Sequence, residues 1–453
     1  MTDPHQLTAA TREVIDWLFD ESVLHPDQMI DADVERAARL LFLDTLGCAI
    51  GGGAKPELRA LNEAMAEFEP GPAALPGMVE PLTAPAAASW CATAATWDEA
   101  CEGLARAHGR PGLHAFPVAV TLTLAKGGTF GEALVALIRG FEVGGRLGER
   151  LRIQAGMHVD GTWGTFGAAT AAGSVLQHGP SDVAATIEAS ACQTPMSLYL
   201  PVAQGATIRN SYVAESVRRA IALSIHVASG VTTPTGALEA VDGMAFGERP
   251  TDTGVAPPGE WLISQGYLKP FAAVRHVHYG AEAARRWREL ERPTTAIHAI
   301  SFDVYPEAVT YCANRAPATA IAAQFSLTYG IARMLATGDL GPEAYATTSL
   351  RDPEVRRLEQ LIDVRAVPGD RPDERYATLR ITTEDAGEYQ ISVDQVTGDA
   401  DSPMTSEEVV DKFLAYSRRL RTWPAEQVAA SLLRGPLEAP LQEVLALDSQ
   451  HGA

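Results

Sequence analysis

The segment at residues 97–117, WDEACEGLARAHGRPGLHAFP, gathers acidic, basic and imidazole side chains in one stretch broken by Gly and Pro. Carboxylates and imidazoles can carry protons and guanidinium groups can bind anions, so this content at a helix-to-loop junction predicts a functional site. A solvated loop is the alternative interpretation. His108 and His114 could both bind a metal, but without a Cys pair or an HExxH spacing we expect no metal site. The candidate residues are Asp98, Glu99, Arg106, His108, Arg110 and His114.

His158 lies in a second segment of interest, GMHVDGTWGTFGAATAAG, at residues 156–173. We expect a helix of small residues to open around Gly161 and Thr162, and the free N–H groups of a helix N-terminus suit a carboxylate. The same partial charge pushes an imidazole toward its neutral form, which a general base needs. His158 is therefore a candidate base, with a structural histidine as the alternative.

The net charge of −21 over 453 residues makes any basic cluster informative. An acidic surface of this size argues against binding to nucleic acid or to anionic membranes, so an anionic substrate needs a local group of basic side chains. Arg209 and Tyr212 lie just before a helical run, where an arginine could clamp a carboxylate or simply lie on the surface. The densest basic patch, which could also be an incidental linker, contains Lys269, Arg275, His276 and His278.

The cysteines and the missing motifs set further limits. The five cysteines are scattered and form no CxxC, so we expect no disulfide framework, a reducing compartment and a cytoplasmic location. The N-terminus carries acids and no apolar run, and no stretch reaches the roughly 18 apolar residues of a membrane span. Because the chain has no P-loop, no GxGxxG after a strand and no GxSxG, we expect neither a nucleotide cofactor nor serine-based acyl transfer.

Helical patterns run from residue 6 to about residue 260 and must position these segments. The stretch Val34–Ile50 is apolar almost all round, which predicts a buried helix that Gly51-Gly52-Gly53 and Pro56 stop. Residues 86–97 and 164–175 are rich in small residues and predict closely packed helices.

The pattern changes near residue 295. Alternating apolar residues predict strands at 300–304, 362–365, 379–382 and 389–393, with a hairpin link at 384–388 and helical sequence at 314–337. Helical sequence returns at 405–447. We therefore predict a mainly α protein with a second, α+β domain: a large helical domain at 1–269, completed by 406–453, and a small α+β domain at 270–405.

Several motifs in one order give the chain a resemblance to the MmgE/PrpD family, which includes 2-methylcitrate dehydratase, cis-aconitate decarboxylase and iminodisuccinate epimerase. The resemblance spans nearly the whole chain. Besides the two segments above, it rests on LFLDTLGCAIGG (41–52), GFEVGGRL (140–147), TIRNSYVAE (207–215), GYLKPFAAVRHVHYGAEAA (266–284), QFSLTYGIA (324–332) and SPMTSEEVVDKF (402–413).

This resemblance implies a helical domain built from both termini, a smaller α+β domain that covers it as a lid, and a site in the cleft between them. It also implies a homodimer and no cofactor. The family chemistry loosens a C–H bond or a carboxylate on a di- or tricarboxylate, after which dehydration, decarboxylation or epimerisation follows.

By the same resemblance, His158, Lys269 and Tyr329 match active-site residues of the family, and Asp98 or Glu99 matches an acidic position. Arg209 stands where many members have lysine, and His278 stands where a His often precedes Pro. Arg110 is a departure, because the family usually has histidine there, and a guanidinium cannot exchange protons. Either His108 or His114 replaces that histidine, or the reaction needs one fewer proton-transfer group. The departure fits an altered substrate with a carboxylate that Arg110 clamps.

We therefore expect a cofactor-independent lyase of the hydro-lyase type. The substrate carboxylates would contact Arg110, Arg209, Lys269 and Arg275, with His114, Tyr212 and His278 nearby. His158 would move the α-proton, and Tyr329 or the Asp98/Glu99 pair would handle the leaving group. An epimerase is the alternative, followed by a decarboxylase and by a scaffold that has lost its activity.

Overall fold

The computed structural model describes residues 6–29, 31–247, 255–291, 293–369, 375–384 and 387–447. It consists of a large helical domain and a smaller domain that contains a four-stranded sheet, which confirms the predicted fold class. The boundaries at residues 269, 270 and 405 stay predictions.

Among the described residues, the helical domain begins with eleven α-helices in chain order. Side-chain caps explain where two of them start: the Asp31 carboxylate accepts the N–H of Asp33 and of Val34 at α2, and Thr129 forms a capping box with Glu132 at α6. The helices are α1 (Gln6–Leu18), α2 (Ala32–Gly53), α3 (Pro56–Phe68), α4 (Ala84–Thr96), α5 (Pro111–Ala125), α6 (Phe130–Arg150), α7 (Gly164–Val175), α8 (Pro180–Ala191), α9 (Leu200–Gln204), α10 (Tyr212–Ala228) and α11 (Ala237–Ala245). Short strand segments between them are β1 (Leu24–His25), β2 (Gln28–Met29), β3 (Pro70–Ala73), β4 (Met157–His158) and β5 (Ser197–Leu198).

Helix α2 is buried as predicted and ends at Gly53, before Pro56, but Gly51, Gly52 and Gly53 form its last turn rather than stopping it. The helix continues to Gly53 because the missing side chains allow close packing. A Cβ at Gly52 would overlap the carbonyl of Ala94 in α4, and a Cβ at Gly51 would lie 2.5 Å from the ring of Tyr416. Contact with neighbouring helices thus outweighs the low helix propensity of glycine.

The sheet of the smaller domain confirms the four predicted strands. Its order is β7 (Ile362–Ala366), β6 (Ile297–Val304), β8 (Ala377–Thr383) and β9 (Glu388–Val393), with β6 and β7 parallel and the other pairs antiparallel. Strands β8 and β9 are antiparallel neighbours, as the hairpin prediction requires, although residues 385–386 of the link lie outside the described residues. The helices of this domain are α12 (Arg275–Arg288), α13 (Pro306–Cys312), α14 (Ala320–Gln324), α15 (Leu327–Thr337), α16 (Thr347–Leu350) and α17 (Pro353–Gln360).

The last helices of the described chain pack back on the helical domain. They are α18 (Ser406–Ser417), α19 (Ala425–Arg434) and α20 (Leu441–Val444). Helix α18 lies against α2, where Lys412 Nζ is 2.6 Å from Asp44 Oδ1 and donates to the carbonyl of Ala100 at 2.7 Å. A residue near the end of the chain therefore holds the backbone next to Glu99.

Across the described residues, no single helix combines the length and hydrophobicity of a membrane span. Helices α2 and α3 meet that test only when taken together, and they bend by 87° between them.

Candidate active site

A cavity of about 120 Å³ lies where the helical domain meets the α+β domain. Its lining includes five cationic and three carboxylate side chains, an excess of two positive charges in a chain whose net charge is −21. This local reversal of sign suits an anionic ligand. The charged and imidazole residues of the lining are Glu99, His108, Arg110, His158, Asp160, Arg209, Lys269, Arg275, His276, Glu307 and Arg375.

Glu99 is the centre of the charge network in this cavity. Its carboxylate contacts Lys269 Nζ at 2.7 Å, Arg110 Nη1 at 3.3 Å and Arg209 Nη2. Burial alone would raise the pKa of Glu99, but the charges of Arg110, Arg209 and Lys269 hold it well below its usual value. Glu99 is therefore a fixed negative charge and cannot serve as a proton donor near neutral pH.

The backbone of Glu99 and of His108 takes a left-handed conformation, with φ of 52° and 50°. Such φ values are uncommon for residues with a Cβ and often mark functional sites, where surrounding contacts maintain them. For Glu99 those contacts include Lys269 Nζ, which binds both the carboxylate and, at 2.9 Å, the backbone carbonyl.

Arg110 links Glu99 and Asp160, two of the acidic residues that line the cavity. It precedes the first residue of α5, Pro111, and its guanidinium contacts Asp160 as well as Glu99. Burial would raise the pKa of Asp160, but Arg110, His158 and Arg209 keep it well below its usual value. The guanidinium is therefore held between two ionised carboxylates.

His158 lies on β4 and pairs with Ser197 of β5. The predicted helix start near Gly161 is wrong: Gly161 has a φ of 77°, and α7 begins at Gly164. His158 is nevertheless neutral, because burial lowers its pKa to about 4 although Asp160 opposes the shift. Its ring stacks on Tyr199 with a centroid distance of 6.0 Å.

Two groups of Asp160 lie near Nδ1 of His158. The Asp160 N–H donates to Nδ1 at 3.0 Å, which leaves the proton of the neutral ring on Nε2. A carboxylate oxygen of Asp160 lies 3.8 Å from the same nitrogen, which is too far for a hydrogen bond. The backbone of Asp160 therefore favours the tautomer with its proton on Nε2.

Lys269 and Arg275 are the predicted basic residues that the chain brings to the cavity from residues 266–284. Burial lowers the pKa of Lys269, and Glu99 partly restores it. Arg275 is paired with Asp399 and lies over the rings of Tyr267 and Tyr279, at 4.9 and 5.4 Å from their centroids. Its guanidinium is thus largely occupied by protein contacts.

Six predicted residues do not belong to the cavity lining among the residues that the structure describes. One of them, Arg106, pairs with Glu149 and Glu260 and has 41% of its side chain exposed. Asp98 forms an ion pair with Lys55 at 3.0 Å. The Tyr329 hydroxyl donates to the carbonyl of Ala344. These contacts direct both side chains to protein partners, and their catalytic roles stay predictions.

The other three lie close to the cavity but bind the protein. His114 accepts the N–H of Gly161 through Nε2 at 3.2 Å, and its Nδ1 lies 2.9 Å from the Arg110 carbonyl. His278 bonds to the Ala273 carbonyl at 3.0 Å, and the Tyr212 hydroxyl donates to the Leu198 carbonyl at 3.0 Å. Tyr212 also lies beside His158, with ring centroids 5.9 Å apart, so it can support that imidazole.

Sequence reasoning did not select three of the charged lining residues, Asp160, Glu307 and Arg375, and it named His276 only as part of the basic patch. Asp160 had a signal, since it lies two residues after His158 in the HVDGTW motif, and His276 lay in the basic patch. Glu307 and Arg375 are isolated charges in the α+β domain and look like surface residues in the sequence. Among the described residues, no group of three or more His, Cys, Asp or Glu side chains has a geometry for a metal ion.

Comparison with known families agrees with this architecture. The model of the MmgE/PrpD N-terminal domain matches residues 24–247, and that of the MmgE/PrpD C-terminal domain matches residues 271–432. The two matches cover most of the chain, which therefore belongs to the MmgE/PrpD family, a family of dehydratase, decarboxylase and epimerase enzymes. A search of curated proteins gave no significant match.

Proposed function

We propose that the protein is a cofactor-independent hydro-lyase that removes an α-proton and a hydroxyl group from a small di- or tricarboxylate. The observation that supports this proposal is the positive cavity of an acidic chain, which contains a neutral histidine beside clustered cations. The proposal also includes a cytoplasmic location, which the cysteine pattern favours, and a homodimer, which the family resemblance implies.

Two arginines can bind the reacting carboxylate. Nη1 of Arg110 and Nε of Arg209 are buried and make no hydrogen bond among the described residues, although Nη1 of Arg110 forms an ion pair with Glu99 at 3.3 Å. Unsatisfied buried donors are costly, and a substrate carboxylate would satisfy them with charge-assisted hydrogen bonds. The same cations would stabilise the enediolate that forms as the α-proton leaves.

His158 is the group that we assign to proton removal. Its low pKa keeps it neutral at physiological pH. For Nε2 to accept the proton, the ring proton must first move to Nδ1, and the Asp160 carboxylate must come closer than its present 3.8 Å to hold it there. Asp160 would then stabilise the imidazolium that forms.

Lys269 is the group that we assign to the leaving hydroxyl. Glu99 is held ionised, so it cannot donate a proton, whereas the ammonium group of Lys269 lines the cavity and has a lowered pKa. Lys269 can therefore donate a proton to the departing oxygen, while Glu99 fixes its position.

Incubation in deuterated buffer with methylcitrate, citrate, cis-aconitate and iminodisuccinate, followed by NMR, tests the proposal. A lyase produces a new olefinic signal. His158→Ala should lower that rate at least about 100-fold, the usual contribution of a general base. His226→Ala, which removes an exposed histidine, should leave it unchanged. A folded His158→Ala variant with nearly full activity would contradict the assignment.

An epimerase is the second candidate, because His158 and Lys269 both line the cavity and could act on opposite faces of one carbon. It would incorporate solvent deuterium into recovered substrate without producing an olefin. The same NMR experiment therefore separates the two reactions.

A further inference from the structure

Arg375 is a cavity residue of the α+β domain that the proposed chemistry does not use. Building on the proposed function, we propose that Arg375 binds a second carboxylate of the substrate and that Glu307 competes with that carboxylate. Together they make the site selective for substrates with two separated carboxylates.

The contacts of Arg375 differ from those of the other cavity cations. Arg110, Arg209 and Lys269 share the buried carboxylates of Glu99 and Asp160, whereas Arg375 contacts Glu307, with Nη2 3.0 Å from Oε2. The Arg375 and Glu307 side chains are 22% and 38% exposed, so a ligand can reach this pair.

A substrate carboxylate can replace Glu307, the ion-pair partner of Arg375, more readily than it can replace the partner of Arg275. Arg275 is held by Asp399, which lies outside the lining, but Glu307 itself lines the cavity. The guanidinium of Arg375 lies 5.7 Å from the centroid of the Tyr305 ring, which orients it. An incoming carboxylate can therefore take the place of the Glu307 carboxylate without leaving a buried charge unpaired.

Placement of the two cationic groups on different domains gives the selectivity. Arg110, Arg209 and Lys269 belong to the helical domain, and Arg375 precedes strand β8 of the sheet domain. A substrate with carboxylates at both ends would contact both groups. A substrate with one carboxylate would leave the ion pair of Arg375 and Glu307 intact and would gain no affinity from Arg375.

Ligand binding by purified variants tests the proposal, with the dicarboxylates succinate and glutarate compared with their monoamides by thermal shift and calorimetry. The wild-type protein should prefer the acids by about tenfold or more, since one charge-assisted hydrogen bond has that effect. Arg375→Gln should reduce the preference to about twofold, and Arg375→Lys should restore part of it. Glu307→Gln should bind the acids more tightly than the wild type.

Arg365→Gln is the matched control, because Arg365 lies on β7 with 59% of its side chain exposed and is not in the described lining. It should leave every affinity unchanged. The proposal is overturned if a folded Arg375→Gln variant keeps the wild-type preference for the acids. It is also overturned if the wild-type protein shows no such preference. These binding measurements do not depend on catalysis. If Arg375-dependent binding is retained but no olefin forms, only the lyase reaction is refuted.

Discussion

Replacement of Glu99 by Gln should destabilise the protein because it removes the carboxylate shared by Arg110, Arg209 and Lys269. Loss of one partner from a buried ion pair costs about 3–5 kcal/mol. Asp160 still compensates Arg110 and Arg209, and Lys269 keeps the Glu99 carbonyl at 2.9 Å. The expected loss is therefore near the lower end of that range, about 3 kcal/mol.

Unfolding of Glu99→Gln and of the wild type should be compared by thermal and denaturant titration at pH 7, with and without tricarballylate. A carboxylate ligand supplies part of the missing negative charge, so it should raise the melting temperature more in the variant than in the wild type. Asp16→Asn is the control, because the ion pair of Asp16 with Arg12 is exposed and contributes at most about 1 kcal/mol. Equal stability and equal ligand shifts in Glu99→Gln and the wild type would refute the role of Glu99 as the shared counter-charge.

Four further substitutions test other parts of the structure. Arg110→His restores the usual family residue, but it removes the guanidinium between Asp160 and Glu99, so we expect about 3 kcal/mol of destabilisation in denaturant titrations and no gain of methylcitrate dehydration by NMR. His158 has a pKa of about 4 when folded, so the unfolded chain binds its proton first and stability falls as the pH drops from 6.5 to 4. His158→Gln should reduce that slope by up to about 1.4 kcal/mol per pH unit, measured by thermal unfolding. Gly52→Ala should lower the melting temperature through its clash with Ala94, whereas Gly243→Ala, which meets nothing within 4 Å in α11, should raise it slightly.

The sequence predicted those parts of the fold that have a periodic pattern. The alternation in β6 to β9 and the small residues of α7 gave the right elements, because burial of one face requires such patterns. The last turn of α2 was missed since its glycines serve contacts with α4 and Tyr416, which lie far away in the chain.

The lining of the cavity was predictable where its residues lie in dense segments, as Glu99, Arg110, His158 and Lys269 do. Glu307 and Arg375 could not be found, because a single charged residue near a turn or a strand end has no local pattern that separates a cavity position from a surface position. The partners of Asp98 and Tyr329 were equally hidden, since Lys55 and Ala344 become their neighbours only after folding.

The packing of α18 on α2 has a consequence for synthesis of the chain on the ribosome. Lys412 is separated from Asp44 by 368 positions, so α2 leaves the ribosome long before the helix that covers it. Until then the surface that Phe413 and Tyr416 will cover, at Gly47 and Gly51, has no partner from α18. Such long-range contacts slow folding and expose apolar surface to aggregation. The nascent protein therefore acquires its complete cavity wall, including the support of Ala100 beside Glu99, only when translation is almost finished.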